Sequence, residues 1–395
     1  MKLTEETPFF FIYSVWTKNG EYREQVKRLV TDYDNYISLK LAGDDAYLSE
    51  KMVGYPAELD EVYAESFEEQ KKEWFSCVGD GIQECRNTWE HKKWNITDFP
   101  EFELAITIDR PELYYDFLQK DWTRFCHDYW KNNFLEHHTL SQKRVTRIYI
   151  GNQFCHNLFP RKELLFQVLE KALENNLAVT LAFSYIRNHL LEEIDELLQE
   201  LEVWCQSREK EAGKDQEEII VNDWAMPILL QGKPHLKPVL GVLLNKRRKD
   251  VRLPYKQGIG NHVDSLAENN LNCGFYQDYL KNTFDIQRFE FESCGYKVTI
   301  PDGHHSLHLP FFQTNTSQYC TLYAVCRYGD RGKQKLTENC PRYCNKKVFL
   351  YPKHLKMVGR YNSLFGYDEK ILWDEKQLQD YLEQGIERIV VNVSL

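Results

Sequence analysis

The run LAVTLAFSYI, Leu177 to Ile186, restricts the fold more than any other stretch of the chain. Ten residues almost without a polar group suit a parallel strand covered on both faces, not a strand or helix with one wet side. A regular rhythm surrounds this run. RIYIGNQF (Arg147 to Phe154) reads as a strand, and PRKELLFQVLEKALENN as an amphipathic helix that opens on Pro160 and ends near Asn176. After the central run, NHLLEEIDELLQELEVWC is a long helix with Leu and Ile at three- and four-residue spacing. EIIVND (218–223), the short helix AMPILLQG, PVLGVLLN (238–245), a helix from His262 to about Phe284 and IQRFEFE (286–292) extend the alternation. YKVTIP (296–301) and SLHLPFF (306–312) follow as strands. KKVFLYP, a helix near Asp374 to Gln384 and the strand ERIVVNV (387–393) close the chain. Strands and helices alternating at this spacing predict βα units and a parallel sheet. Six to eight such units within about 250 residues predict a TIM-barrel-like α/β domain rather than an open sheet.

Residues 1–142 look different and predict an accessory α+β region ahead of a barrel domain at 143–395. FFFIYSVW (Phe9 to Trp16) reads as a buried strand. From Glu21 to about Trp94 the chain is acidic and helical in pattern, broken near Gly43, Gly54-Tyr55-Pro56 and Gly79-Asp80-Gly81. FELAITI (Phe102 to Ile108) is a second strand, and Pro111 opens a helix to about Leu135 that carries Trp122, Phe125, Tyr129 and Trp130. Aromatics at that spacing are the mark of a core or an interface.

Apolar runs fall well short of the roughly 20 residues a membrane-crossing helix needs. The opening MKLTEET carries acidic residues where a secretory leader has basic ones, so a cytoplasmic location with reduced thiols is expected. A net charge of −10 disfavours general nucleic-acid binding. The local exception is Lys246-Arg247-Arg248-Lys249 with Arg252 and Lys256, a solvated basic loop or a docking site for an anionic ligand or acidic partner.

Four of the eleven cysteines lie between Cys320 and Cys344, spaced C-x5-C-x13-C-x3-C. In a reducing compartment such a group suggests a metal, unless the thiols are buried by chance. Cys155 follows what reads as the first strand of the barrel region. Since all strands of a parallel barrel point their carboxyl ends to one face, Cys155 can meet a loop after a later strand. Four thiolates are what an iron–sulfur cluster or a structural zinc requires. Cys77, Cys85, Cys126, His127, His137 and His138 match no common zinc spacing, and Cys205, Cys273 and Cys294 read as core or surface thiols.

The residues from about Arg147 to Val393 resemble the collagenase-like peptidase family, and within it the UbiV type. The matching pieces are IYIGNQFC, LAVTLAFSYI, IIVNDWAMPILL with PVLGVLLN, the cysteine segment, and VFLYPKHLKMVGRYNSLF leading to RIVVNV. The resemblance implies a [4Fe-4S] cluster held by one cysteine after the first strand and three in a later loop ending C-x3-C. Cys155, Cys340 and Cys344 fall on that pattern. For the fourth ligand, Cys326 has the closer interval to Cys340, while Cys320 sits in a Ser-x-x-Cys context that the family shares and is preferred. Zinc is the alternative metal.

What the resemblance further implies is oxygen-independent hydroxylation, with prephenate as oxygen donor in the related enzymes and a second family member as a heterodimer partner. Other relatives hydroxylate RNA bases, and the family's founding description is proteolysis. No G-x-S-x-G or H-E-x-x-H motif is present to support a peptidase. The candidate substrate is an anionic small molecule, a peptide or RNA. A non-catalytic partner carrying a structural or electron-relaying cluster is the alternative class. Asp223 and Asn245, at strand ends, and Arg327, in the cysteine segment, are the candidate catalytic residues, with Asn222, Asp302, His304, His305, His308, Arg331 and Arg342 as further polar groups.

Overall fold

The computed structural model describes residues 2–6, 11–14, 17–22, 24–25, 66–76, 99–208, 216–251, 267–330, 332–333, 335–337, 339–351 and 355–394. Most of the acidic stretch read as helical lies outside them, as do Cys77, Cys85, Arg252, Lys256 and Arg331. The chain opens with an antiparallel pair, β1 (Lys2–Glu6) and β2 (Phe11–Ser14), and helix α1 is Phe67–Ser76. Then come β3 (Glu103–Ile108), α2 (Pro111–Gln119), α3 (Trp122–Asn132), β4 (Arg147–Gly151), α4 (Lys162–Glu174), β5 (Ala178–Ala182) and α5 (Leu191–Gln206). Next are β6 (Glu217–Val221), α6 (Met226–Leu229), β7 (Leu236–Leu240), α7 (Gly274–Phe284), β8 (Glu290–Glu292), β9 (His305–Leu309) and β10 (Phe311–Thr316). The last group is α8 (Thr321–Tyr328), β11 (Phe349–Leu350), β12 (Met357–Arg360), β13 (Ser363–Tyr367), α9 (Glu375–Glu383) and β14 (Ile386–Val391).

Eight parallel strands form one sheet in the order β7-β6-β5-β4-β3-β14-β9-β8. Its two edges meet at a single parallel bridge, Leu240 to Phe289, so the sheet curls into a nearly closed barrel. The expected TIM-barrel-like fold is present. Its lumen is filled by Ala105, Tyr149, Ala182, Ile220, Val239 and Val390, all buried, and the small alanines leave room for the tyrosine. Leu177 to Ile186 behaves as its composition requires, with Val179, Thr180, Leu181 and Ala182 buried on both faces of β5.

The barrel begins earlier than the sequence indicates. β3 lies between β14 and β4, with Ala105 opposite both Val390 and Arg147. A boundary at residue 142 therefore cuts through the barrel. The chemical reason is visible in FELAITI: Leu104, Ala105, Ile106 and Ile108 are wholly buried, the same two-sided burial that marks β5. Cys155 consequently follows the second barrel strand, not the first. YKVTIP is not a strand; it is a coil with Val298 and Ile300 buried, tied through the Thr299 amide to the Ala267 carbonyl. SLHLPFF is two strands rather than one. Pro310, which has no N–H to continue a ladder, separates β9 in the barrel from β10 in a four-stranded antiparallel sheet ordered β10-β13-β12-β11.

α1 packs on that second sheet. Trp74 stacks on Tyr367 with ring centroids 5.0 Å apart, Phe75 meets Phe311, and the Tyr367 hydroxyl donates to the Trp74 carbonyl at 3.0 Å. Lys71 is buried and donates to Asn133 Oδ1 and to the Val393 carbonyl, both at 2.5 Å, which ties α1 to the end of the barrel. Trp74→Ala should cost about 3–5 kcal/mol through the lost aromatic burial. Urea unfolding would show a lowered midpoint; an unchanged one would mean that α1 is not part of the cooperative unit.

Candidate functional site

The carboxyl ends of the parallel strands open on one face, where barrel enzymes place their chemistry. Two adjoining cavities share Val242 there. A small one of about 40 Å³ is floored by Thr107, Asp109, Tyr149, Gln153, Glu292 and His308. A larger cleft of about 460 Å³ runs past Tyr185, Asn222, Trp224, Asn245, Lys249 and Gln313. Two glycines make this approach possible. A Cβ on Gly151, whose φ is +108°, would lie 2.6 Å from the Ala182 carbonyl oxygen, and one on Gly241 would collide with the Asn222 amide.

β8 supplies the central groups. Glu290 and Glu292 are two residues apart, so both carboxylates share the inner face of the strand, and both are buried. Glu290 accepts from the Tyr149 hydroxyl at 3.0 Å and meets His308 Nε2 at 2.5 Å. Glu292 binds Lys249 Nζ at 2.5 Å and accepts from the Gln313 amide at 2.7 Å. Burial lowers the Lys249 pKa, against the pull of Glu292. Arg247 reaches the Cys294 thiol at 2.9 Å and the Glu292 carbonyl. Asn245 is 4% exposed and donates to the Glu290 carbonyl at 3.1 Å, yet its Oδ1 has no hydrogen-bond partner. Asp109 Oδ1 is also unpartnered, and burial raises that carboxyl, with Arg110 opposing. A buried acceptor left unpaired costs free energy, so these two oxygens mark where a ligand or water donates. The sequence signal for this floor is the pair of carboxylates in FEFE, unexpected in a strand buried along its whole length.

The residues chosen from sequence fare differently. Asn245 lines the cleft. Asp223 also lines it, but its Oδ1 accepts from the amides of Ala225 and Met226, both at 3.0 Å, and its Oδ2 from the Ile186 amide. Its carboxylate therefore holds loops together. Arg327 is exposed in the last turn of α8 and lines neither cavity. Asp302, His304 and His305 stand at the start of β9, the opposite end of the barrel from the site, with His304 against Glu387 and His305 stacked on Phe289. His308, three residues on, is the histidine of that run that reaches the mouth.

Beside the mouth lie the thiols. The Asn152 side chain accepts from the amides of Phe154 and Cys155, both at 2.9 Å, and so fixes the turn that presents Cys155. Cys320 caps α8, its sulfur accepting from the Tyr323 amide at 3.3 Å and donating to the Tyr361 carbonyl at 3.1 Å. Cys344 sits in the short helix Tyr343–Asn345, whose Cys344 carbonyl accepts from Arg360 Nε at 3.3 Å. Burial pushes the Cys155 thiol far up, and the charges of Cys320, Cys344 and Cys340 push it further. Burial likewise raises Cys320 to about 12 and Cys344 to about 11. Cys155, Cys320, Cys340 and Cys344 are thus electrostatic neighbours, although 165 residues of sequence separate the first two. Cys326 lies six residues beyond Cys320 on the same helix, about 9 Å further along the axis and a third of a turn out of line.

Four electrostatically coupled thiols, three of which (Cys155, Cys320 and Cys344) resist ionisation alone, are a donor set that a positive metal centre would convert to thiolates. Among the described residues no group of three or more His, Cys, Asp or Glu stands close enough together to hold a metal ion as the side chains are placed. A zinc would need four sulfurs each about 2.3 Å from one point. A four-iron cluster, with a separate iron behind each sulfur, accepts thiols spaced more widely. Comparisons with protein-family models, curated proteins and solved structures match nothing to this chain.

Proposed function

We propose that the chain is a [4Fe-4S] protein of the oxygen-independent hydroxylase kind, acting on a small anionic molecule or peptide in the barrel mouth. The observation that carries this reading is the neighbourhood of Cys155, Cys320, Cys340 and Cys344 beside a polar, partly unsatisfied cleft. Those four cysteines would hold the cluster, which supplies one-electron chemistry when bound. The chain's own groups would do the rest. Lys246 and Asn245 receive the ligand, the first by charge and the second by accepting a hydrogen bond at Oδ1. Glu290 accepts from His308 Nε2–H and so fixes the orientation of the ring in the mouth. Tyr185 and Phe154 wall the cleft and the floor against bulk water.

A purely structural cluster would give no reason for the unpartnered Asn245 oxygen. A peptidase reading finds His308 bound to Glu290 rather than to a Ser or Cys nucleophile. The reading calls for a reducing, cytoplasmic setting and leaves room for a second family member as partner. Among the described residues no helix is long and apolar enough to cross a membrane. Protein purified without oxygen should carry about four iron and four sulfide per chain with absorbance near the visible edge. Stoichiometric zinc without sulfide would overturn the proposal.

A further inference from the structure

Charge is distributed unevenly along this chain. Residues 320–347 contain seven Lys and Arg against two acidic residues, a surplus of five, in a protein whose net charge is −10. Arg327, Lys333, Lys335 and Lys346 are exposed, and none is ion-paired with a described carboxylate. Aromatic contacts join them into one surface. Lys335 lies over the Tyr328 ring at 5.9 Å, Tyr328 packs on Tyr323, and Tyr323 on Tyr343, beside Cys344. Tyr328 and Leu336 are themselves exposed, so the patch has apolar footing as well as charge. Beneath it, Cys320 and Cys340 are partly exposed, which brings the proposed thiol-held group close to the surface here.

We infer that this cationic, tyrosine-rich face docks a small acidic electron-carrier protein. Docking of this kind presupposes the thiol-held group proposed above. Electron-transfer encounters use small interfaces, and opposite charge steers them and sets their salt dependence. A compact acidic carrier touches the patch alone. A long polyanion such as RNA would run from it onto a surface that carries the remaining net charge of −15, the difference between −10 and +5. With the thiol-held group bound by Cys155, Cys320, Cys340 and Cys344, docking would let one electron pass to it from the carrier's reduced [2Fe-2S] centre. The carrier is oxidised by one electron, the group is reduced by one, no bond is made and no proton moves.

The test uses the full-length protein purified without oxygen, with iron and sulfide measured on the same sample, and a small acidic [2Fe-2S] carrier protein as the probe. Binding by calorimetry should be micromolar and weaken at least tenfold between low salt and 0.3 M salt, as a screened contact must. The triple variant Lys333→Glu, Lys335→Glu, Lys346→Glu should lose at least tenfold in affinity while keeping its iron and sulfide. A control reversing Lys131, Lys281 and Lys376, exposed elsewhere, should bind as the parent does. Equal weakening in both variants overturns the docking site, as does a loaded protein that ignores the carrier. Tighter binding of a single-stranded RNA, lost in the same triple variant, would make the face a nucleic-acid interface instead. Absence of iron and sulfide from the parent overturns the cluster reading and the docking together.

Discussion

Arg388→Met is expected to destabilise the barrel by about 3–5 kcal/mol, the cost of removing one partner from a buried ion-pair network. Arg388 is 2% exposed at the amino end of the barrel, where it closes the lumen. Its Nε donates to Glu103 Oε2 at 2.6 Å, and its two terminal nitrogens grip Glu218 at 2.6 and 2.9 Å, with the Tyr149 hydroxyl at 3.1 Å. Arg147 bridges the same two acids. Burial alone would raise Glu218, but Arg388 and Arg147 overcome it and hold that carboxyl near pH 2. The sign follows from linkage. A carboxyl whose folded pKa is depressed from 4.5 to about 2 adds stability that is complete above pH 4.5 and is lost as the pH falls toward 2. At about 1.36 kcal/mol per unit this amounts to roughly 3 kcal/mol. Removing Arg388 leaves Arg147 and Arg288 to face Glu218 alone, so its carboxyl should rise, and the variant's deficit should be largest near pH 7 and shrink as the pH falls from 4.5 toward 2. Urea midpoints measured at pH 7 and near pH 2.5 would show this. A deficit that stays constant with pH would mean that the lost packing of Arg388, not its charge, carries the effect. Glu218→Gln in the Arg388→Met background should restore part of the loss.

Cys155→Ala is expected to strip nearly all iron and sulfide from protein purified without oxygen, and Cys326→Ala to leave both at the parent level. Cys155 stands among Cys320, Cys340 and Cys344 from its position after β4. Cys326 is displaced along and around α8 from the N-cap position of Cys320, so the two sulfurs leave the helix in different directions. Elemental analysis with circular dichroism would separate loss of the group from loss of fold. Full iron and sulfide in Cys155→Ala would remove the ligand assignment, whereas their loss in Cys326→Ala would exchange Cys320 for Cys326 in it.

Much of the barrel was legible because parallel strands are buried on both faces and announce themselves by composition. LAVTLAFSYI, EIIV and RIVV fall in β5, β6 and β14. FELAITI carried the same signal, but the acidic sequence before it, with its different pattern, hid its membership. Which strands adjoin is decided by closure, and closure places β3 between the last strand and β4.

The site divides in a similar way. Sequence determined the unusual density of cysteines, the likeness of Cys155 to a remote fourth ligand and the strand-end position of Asn245. The choice among strand-end polar groups came from tertiary structure, because Asp223 spends its oxygens on the amides of Ile186, Ala225 and Met226 while Asn245 keeps one acceptor unpaired. Glu290, Glu292, His308 and Lys249 became a site through the barrel alone. They come from β8, β9 and a loop, and their chemistry depends on distances of 2.5 Å that local sequence does not encode. Composition can say that a strand is buried or that thiols are clustered. Which buried groups face one another is set by register and closure, and those are properties of the whole chain.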